Sequence, residues 1–217
     1  MGGAEPSLIS LMIVTTALGV AALGVITMTG FAKISIVLFL LRNALGVQQA
    51  PPNIVLYGIA LILTGFISLP VVRNVSQAVN ATPSEYRTVQ DWVGVAERGV
   101  GPLKANLQRF TTLEERTFFL NAAKKLWPED QQDLATADDL VILVPSFMTA
   151  ELRRGFEIGF LLYLPFVTID LVITTILMAM GMSQVQPTTI TVPLKLFLFV
   201  TVEGWTRLLH GLVVSYV

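Results

Sequence analysis

The chain of 217 residues contains no cysteine. That absence excludes disulfides, thiolate metal sites and cysteine nucleophiles. Charge is scarce as well: Asp, Glu, Lys and Arg make up 13% of the residues, against roughly 25% in soluble domains. No basic run occurs and the net charge is −1, which leaves no phosphate-binding surface, so no nucleic acid is expected as a partner. There is one histidine, His210, near the C-terminal end of an apolar run, where a lone imidazole reads as a packing residue. No GxSxG elbow, no HExxH pair and no phosphate-cradling glycine loop is present, so catalysis is not expected and no cofactor or metal is called for. The first ten residues, MGGAEPSLIS, lack a basic region, and the apolar run after them is too long for a signal peptide, so no cleaved leader is expected.

What is abundant is apolar sequence: 53% of the residues are hydrophobic and mean hydropathy is +0.70. Most of the surface is therefore not built for water. From Ser7 to Leu41 the one ionisable side chain is Lys33, and a span needs roughly 20 apolar residues. Gly19, Gly24 and Gly30 divide that run and predict a break, a kink or close helix packing. A second apolar run covers Ile54–Val72. Between the two lies LLRNALGVQQAPPN, where Pro51 and Pro52 lack backbone donors and push the residues before them out of helix. Residues 1–80 thus form a helical hairpin with its turn near 42–53, built on Arg42, Asn43, Gly46, Pro51 and Pro52. Arg42 favours a cytoplasmic turn.

Residues 81–140 mix charges of both signs and predict a small amphipathic helical insert, on the periplasmic side if the turn is cytoplasmic. TPSE, Thr82–Glu85, has the form of a capping box and starts a helix expected to stop near Gly99–Pro102. TLEE, Thr112–Glu115, repeats the logic, with Phe118, Phe119, Ala122, Ala123 and Leu126 on one face before Pro128. Residues 141–217 form a C-terminal apolar hairpin: one segment from Ser146 past Met182, interrupted at Pro165, and another from Ile190 to Val217. Their linker, residues 181–187, carries no charge, which fits a loop facing a protein-lined cavity. The fold class is all-α, a polytopic membrane-type protein of helical hairpins and a small insert.

Lys33, Asp170, Lys195, Glu203 and Arg207 lie in or beside apolar segments, where an unpaired charge costs about 2.5–3.5 kcal/mol on insertion scales. Glu203 and Arg207 can pair at i,i+4. Arg153 and Glu157 share that spacing, and Glu151 reaches Arg154 at i,i+3. Lys33 and Asp170 have no local partner and need one from another helix or subunit. Two uses fit these charges: an ion or proton path, or ion pairs that fix the register of a bundle. Their small number and opposite signs favour pairing.

Three long stretches in order, FAKISIVLFLLRNALGVQQAPPN, LVPSFMTAELRRGFEIGFLLYLPFVTIDLV and TITVPLKLFLFVTVEGW, resemble the FliP/SctR family of export-apparatus proteins of bacterial flagellar and virulence type III secretion. The expectation of no cleaved leader leans toward the virulence-type SctR branch. The resemblance implies a structural and gating subunit of an inner-membrane protein-export gate, through which unfolded secreted proteins cross. It implies a homo-oligomer in a pentameric ring, companion subunits of the SctS/FliQ and SctT/FliR types, and a large export-gate subunit. It also implies a gate displaced toward the periplasm. Family members carry a run of methionines after a Met-Gly pair that seals the pore as a gasket. The matching positions here are Met182, Ser183 and Gln184, with the last two replacing thioethers. The alternative from another class is a small polytopic transporter or ion channel subunit that uses Lys33, Asp170 and Glu203 for coupling.

Overall fold

The structure, a computed structural model, describes residues 26–47, 49–81, 89–132, 135–182 and 184–217, with scattered positions from 12 to 24. Among the described residues it is helical, with no strand. In chain order the helices are α1 (Phe31–Ala44), α2 (Asn53–Asn80), α3 (Val89–Arg109), α4 (Leu113–Leu126), α5 (Glu129–Gln132), α6 (Leu140–Ala179), α7 (Thr188–Thr201) and α8 (Gly204–Val214).

The core is organised around α1. Ile34, Val37, Leu38 and Leu41 are buried, and Leu56 and Ala60 of α2, Phe166 of α6, Phe199 of α7 and Leu208 and Leu212 of α8 complete the cluster. The last part of the first apolar run, Phe31 to Leu41, is thus covered by its own chain on most sides. The most extensive packing joins α1 to α6. It depends on small residues at i,i+4: a Cβ on Gly155 would lie 3.2 Å from the Lys33 Cα, and one on Gly159 would run into Leu40. Close backbone approach through such pairs is how apolar helices gain contact where water gives no drive between them.

Among the described residues, two helices are long and apolar enough to cross a membrane. They are α2, with 28 residues and mean hydropathy 2.3, and α6, with 40 residues and 2.1. The pair α7 and α8 makes a third candidate, bent by 62° at its break. The protein is therefore a membrane protein by the length and composition of its helices.

Prolines interrupt less than the sequence predicts. Pro165 lies inside an unbroken α6, as does Pro145, and α3 runs through Gly99, Gly101 and Pro102 to Arg109 instead of stopping there. In α3 the reason is packing: Leu107 is fully buried with Leu143 and Phe147 of α6, and Gly99 lies against Val75 and Val79 of α2. Tertiary contact outweighs one lost backbone bond. The capping box at Thr112–Glu115 is present with both reciprocal bonds. The one at Thr82–Glu85 lies outside the described residues. The apolar face of α4 is partly covered, with Ala123 buried and Phe119 and Ala122 half-buried while Phe118 and Leu126 are exposed. The final apolar run, continuous in sequence, breaks at Val202–Glu203, where Glu203 adopts a left-handed conformation with φ 55°.

The start of α6 is pinned to α3 and α4 by polar contacts at two aspartates. Lys104 meets Asp139 at 3.3 Å and Arg116 meets Asp138 at 3.2 Å. Gln108 also donates to Asp138 at 2.8 Å. The Thr136 N–H donates to the Asp139 carboxylate at 2.8 Å. That bond, with Lys104 beside it, holds the Asp139 carboxyl below its ordinary range.

Candidate functional site

The loop from α6 to α7 is short and tightly specified. Helix α6 closes with Gly181 at φ 74°, the Gly181 N–H donating to the Met178 carbonyl and the Met182 N–H to the Leu177 carbonyl, each at 3.0 Å. These two bonds make a Schellman motif, in which glycine holds the left-handed position and orphan carbonyls are satisfied. The Val185 N–H then donates to the Met182 carbonyl at 3.1 Å, and α7 begins directly after Pro187. Met178, Met180 and Met182 are exposed around this end, at 64%, 66% and 40%. Gln184 is exposed, and Ser183 lies outside the described residues. No charged residue occurs from Leu171 to Leu194. The arrangement offers an uncharged tip bearing flexible, polarisable side chains that adapt to irregular partners.

Both helices of this loop are tied to the first hairpin by one cation. The Lys195 ammonium, on α7, donates to Asp170 of α6 at 2.5 Å and to the Ala44 carbonyl at 3.0 Å. Ala44 is the last residue of α1, whose final carbonyls lack intrahelical partners and carry the negative end of the helix dipole. Just beyond, Gly46 sits at φ 76°, where a Cβ would lie 2.9 Å from Val192 of α7. The turn itself is closed by Arg42, whose Nη1 donates to the Pro51 carbonyl at 3.3 Å and to Asn53 Oδ1 at 2.5 Å. The Asn43 carbonyl accepts from the Gly46 N–H at 3.0 Å. Pro52 caps α2, and the Ala50–Pro51 bond is cis.

A second cluster is buried between α1, α6 and the last residues. Lys33 Nζ stands 3.6 Å from Glu151, with side-chain exposures of 1% and 0%. Arg154 reaches the same carboxylate at 3.5 Å, and the Tyr216 hydroxyl donates to its other oxygen. The Tyr216 ring lies 3.4 Å from the Lys33 ammonium, a cation–π contact in a dry place. Tyr216 escaped the sequence reading; its signal was a hydroxyl-bearing aromatic in an apolar run, which needs a hydrogen-bond partner once buried.

Lys33 and Asp170 therefore each have a partner on another helix, Glu151 and Lys195. Two local pairings do not form. Arg153 meets Glu115 of α4 at 3.8 Å and not Glu157. Glu203 and Arg207 make no ion pair among the described residues: the Arg207 N–H still donates to the Glu203 carbonyl at 3.1 Å, but Glu203 stands at the helix N-cap with φ 55°, outside the helical conformation that would align its side chain with Arg207. Among the described residues no three His, Cys, Asp or Glu side chains come together as a metal site requires.

The FliP family profile matches residues 14–212. The chain is 55% identical over 212 residues to the probable translocation protein y4yL of Sinorhizobium fredii, covering 98% of this chain and 96% of that one. It is 44% identical to the Yop proteins translocation protein R of Yersinia pestis, covering 97% of each. It is 41% identical to the harpin secretion protein HrcR of Erwinia amylovora, covering 93% of this chain and 95% of that one.

Proposed function

The chain belongs to the FliP family, and on that footing we propose that it is a structural and gating subunit of a type III protein-export gate of the virulence type. The gate passes unfolded proteins across the bacterial inner membrane. The observation that carries the gating part is the uncharged tip where α6 passes into its loop, with Met178, Met180 and Met182 exposed at the end of a helix held by the Lys195, Asp170 and Ala44 junction. Copies brought together on an axis narrow a passage with such a tip. The subunit works by assembly, as a ring of five copies with companions of the SctS/FliQ and SctT/FliR types and the large export-gate subunit, and it carries out no catalysis. The ring stands displaced toward the periplasm, with residues 81–140 on that side.

The coupled-transporter reading has less support, since Lys33 and Asp170 are each engaged by an opposite charge within the chain. A relay needs groups free to exchange protons. The test is replacement of this subunit in a virulence-type secretion system of a strain lacking its own. Restored secretion, with the chain copurifying with both small companion subunits, is expected. Solute uptake by the chain reconstituted alone, without such copurification, would overturn the reading.

A further inference from the structure

The break between α7 and α8 is an unusual place to spend a charge. Glu203 holds φ 55°, a conformation that costs a side-chain-bearing residue and persists where the surroundings enforce it. Here they do: Gly204 lacks the Cβ that would collide with the Phe199 ring, so the ring lies across the bend. The consequence is that Glu203 and Arg207, both exposed, have no side-chain partner among the described residues, although they lie in an apolar segment and a straight helix would have paired them. Two opposite charges released together ask for a partner that presents both signs.

Arg207 stands at the edge of a groove of about 480 Å³ between α6 and α8, lined by Leu162, Phe166, Leu208 and Leu212. The opposite face of α7 is a ridge. Phe197 and Val200, three residues apart, are 67% and 69% exposed, while Phe199 between them points into the core. Ridge and groove therefore lie on different faces of one chain. From this geometry we propose that a second copy of this chain fills the groove, its Phe197 and Val200 seated against Leu162 and Leu208 and its Glu203 paired with Arg207. A ridge on one face and a groove on another make a head-to-tail contact, which closes into a ring when the rotation allows. The inference rests on the ring proposed above and names the surface that builds it.

Intermolecular complementation tests the contact. Two differently tagged copies are expressed together in a host carrying the rest of the secretion machinery and copurified in mild detergent. Like charges set against each other are costly at an interface, so E203R with E203R, and R207E with R207E, should copurify about tenfold less than the unaltered chains. E203R with R207E restores an opposite pair at each mixed contact and should recover most of the loss. A pair formed within one chain would not be rescued by mixing. Because the chain has no cysteine, Val200→Cys in one copy and Leu162→Cys in the other give a second readout. Mild oxidation should yield a disulfide-linked dimer from the mixture and none from either alone. Copies that still copurify, but show neither charge rescue nor the mixed disulfide, would overturn this contact and leave the gate reading standing, since secretion by the unaltered chain is scored separately.

Discussion

Lys33 has no acidic residue within its own helix, and its answer lies on α6, where Glu151 forms an ion pair with Lys33 and accepts hydrogen bonds from Arg154 and Tyr216. A buried pair of this kind is weak evidence of net stability, yet removing one partner leaves a charge stranded, at about 3–5 kcal/mol. Glu151→Ala is expected to cost that much in denaturant unfolding in detergent. Tyr216→Phe, which removes one charge-assisted hydrogen bond, should cost roughly 1.5–3 kcal/mol. Lys33→Met combined with Glu151→Leu should recover most of the Glu151→Ala loss, and failure to recover it would mean that the cluster does more than pair. Asp139 offers a test by pH. Its folded pKa is depressed by the Thr136 amide and Lys104, so the stability it contributes is present above the ordinary Asp pKa of about 3.9 and is lost as pH falls through the lower folded value. The difference in unfolding midpoint between the native chain and Asp139→Asn should be constant near neutral pH and shrink only in that acid range. A difference that already declines between pH 7 and 5 would contradict the assignment.

Among the elements, glycines separate positions that need no side chain from positions that merely lack one. Gly65 of α2 has nothing within 4 Å of a prospective Cβ, whereas at Gly155 that atom would lie 3.2 Å from the Lys33 Cα. Gly65→Ala should therefore stabilise by about 0.5–1 kcal/mol, the helical penalty of glycine. Gly155→Ala should destabilise by about 1–3 kcal/mol through overpacking against backbone that cannot yield. Thermal unfolding of the two variants reads opposite signs, and equal signs would sink the account of the α1 and α6 contact. Much of the element order was legible in sequence, because apolar runs, the turn before Pro51 and the capping box at Thr112 are local signals. The continuity of α3 past Pro102 was not, since it depends on Leu107 meeting Leu143 and Phe147. Nor was the bend at Glu203, which depends on Gly204 making room for the Phe199 ring. At the candidate site, the missing charge of the loop and the lone status of Lys33 and Asp170 could be read directly. The partners could not, because Glu151 and Lys195 are 118 and 25 residues away and no periodicity links them.

At the scale of the whole molecule, α6 is too long for a simple span: 40 residues rise about 60 Å, twice a hydrocarbon core of roughly 30 Å. Its first half carries Glu151, Arg153, Arg154 and Glu157, and its second half, apart from Asp170, is uncharged to the Met-rich tip. That polarity supports the proposal that the tip, and not the charged end, forms the seal. The sequence alone credits Met182 with most of the apolar closure. Met178 and Met180 are also exposed at the same end, so three thioethers per copy are available to it. In the proposed seal Ser183 and Gln184 would contribute hydrogen bonding between copies, directly or through trapped water, and the seal would be leakier than one built of methionine throughout. Deleting Met182–Gln184 should raise permeability to small solutes in cells that express the gate without cargo, while assembly, checked by copurification, is retained. Met178→Ser with Met180→Ser should leak to a smaller extent. Ser183→Met with Gln184→Met should tighten the seal and leave secretion in place. An assembled gate with unchanged permeability after the deletion would show that the closure lies elsewhere in the ring.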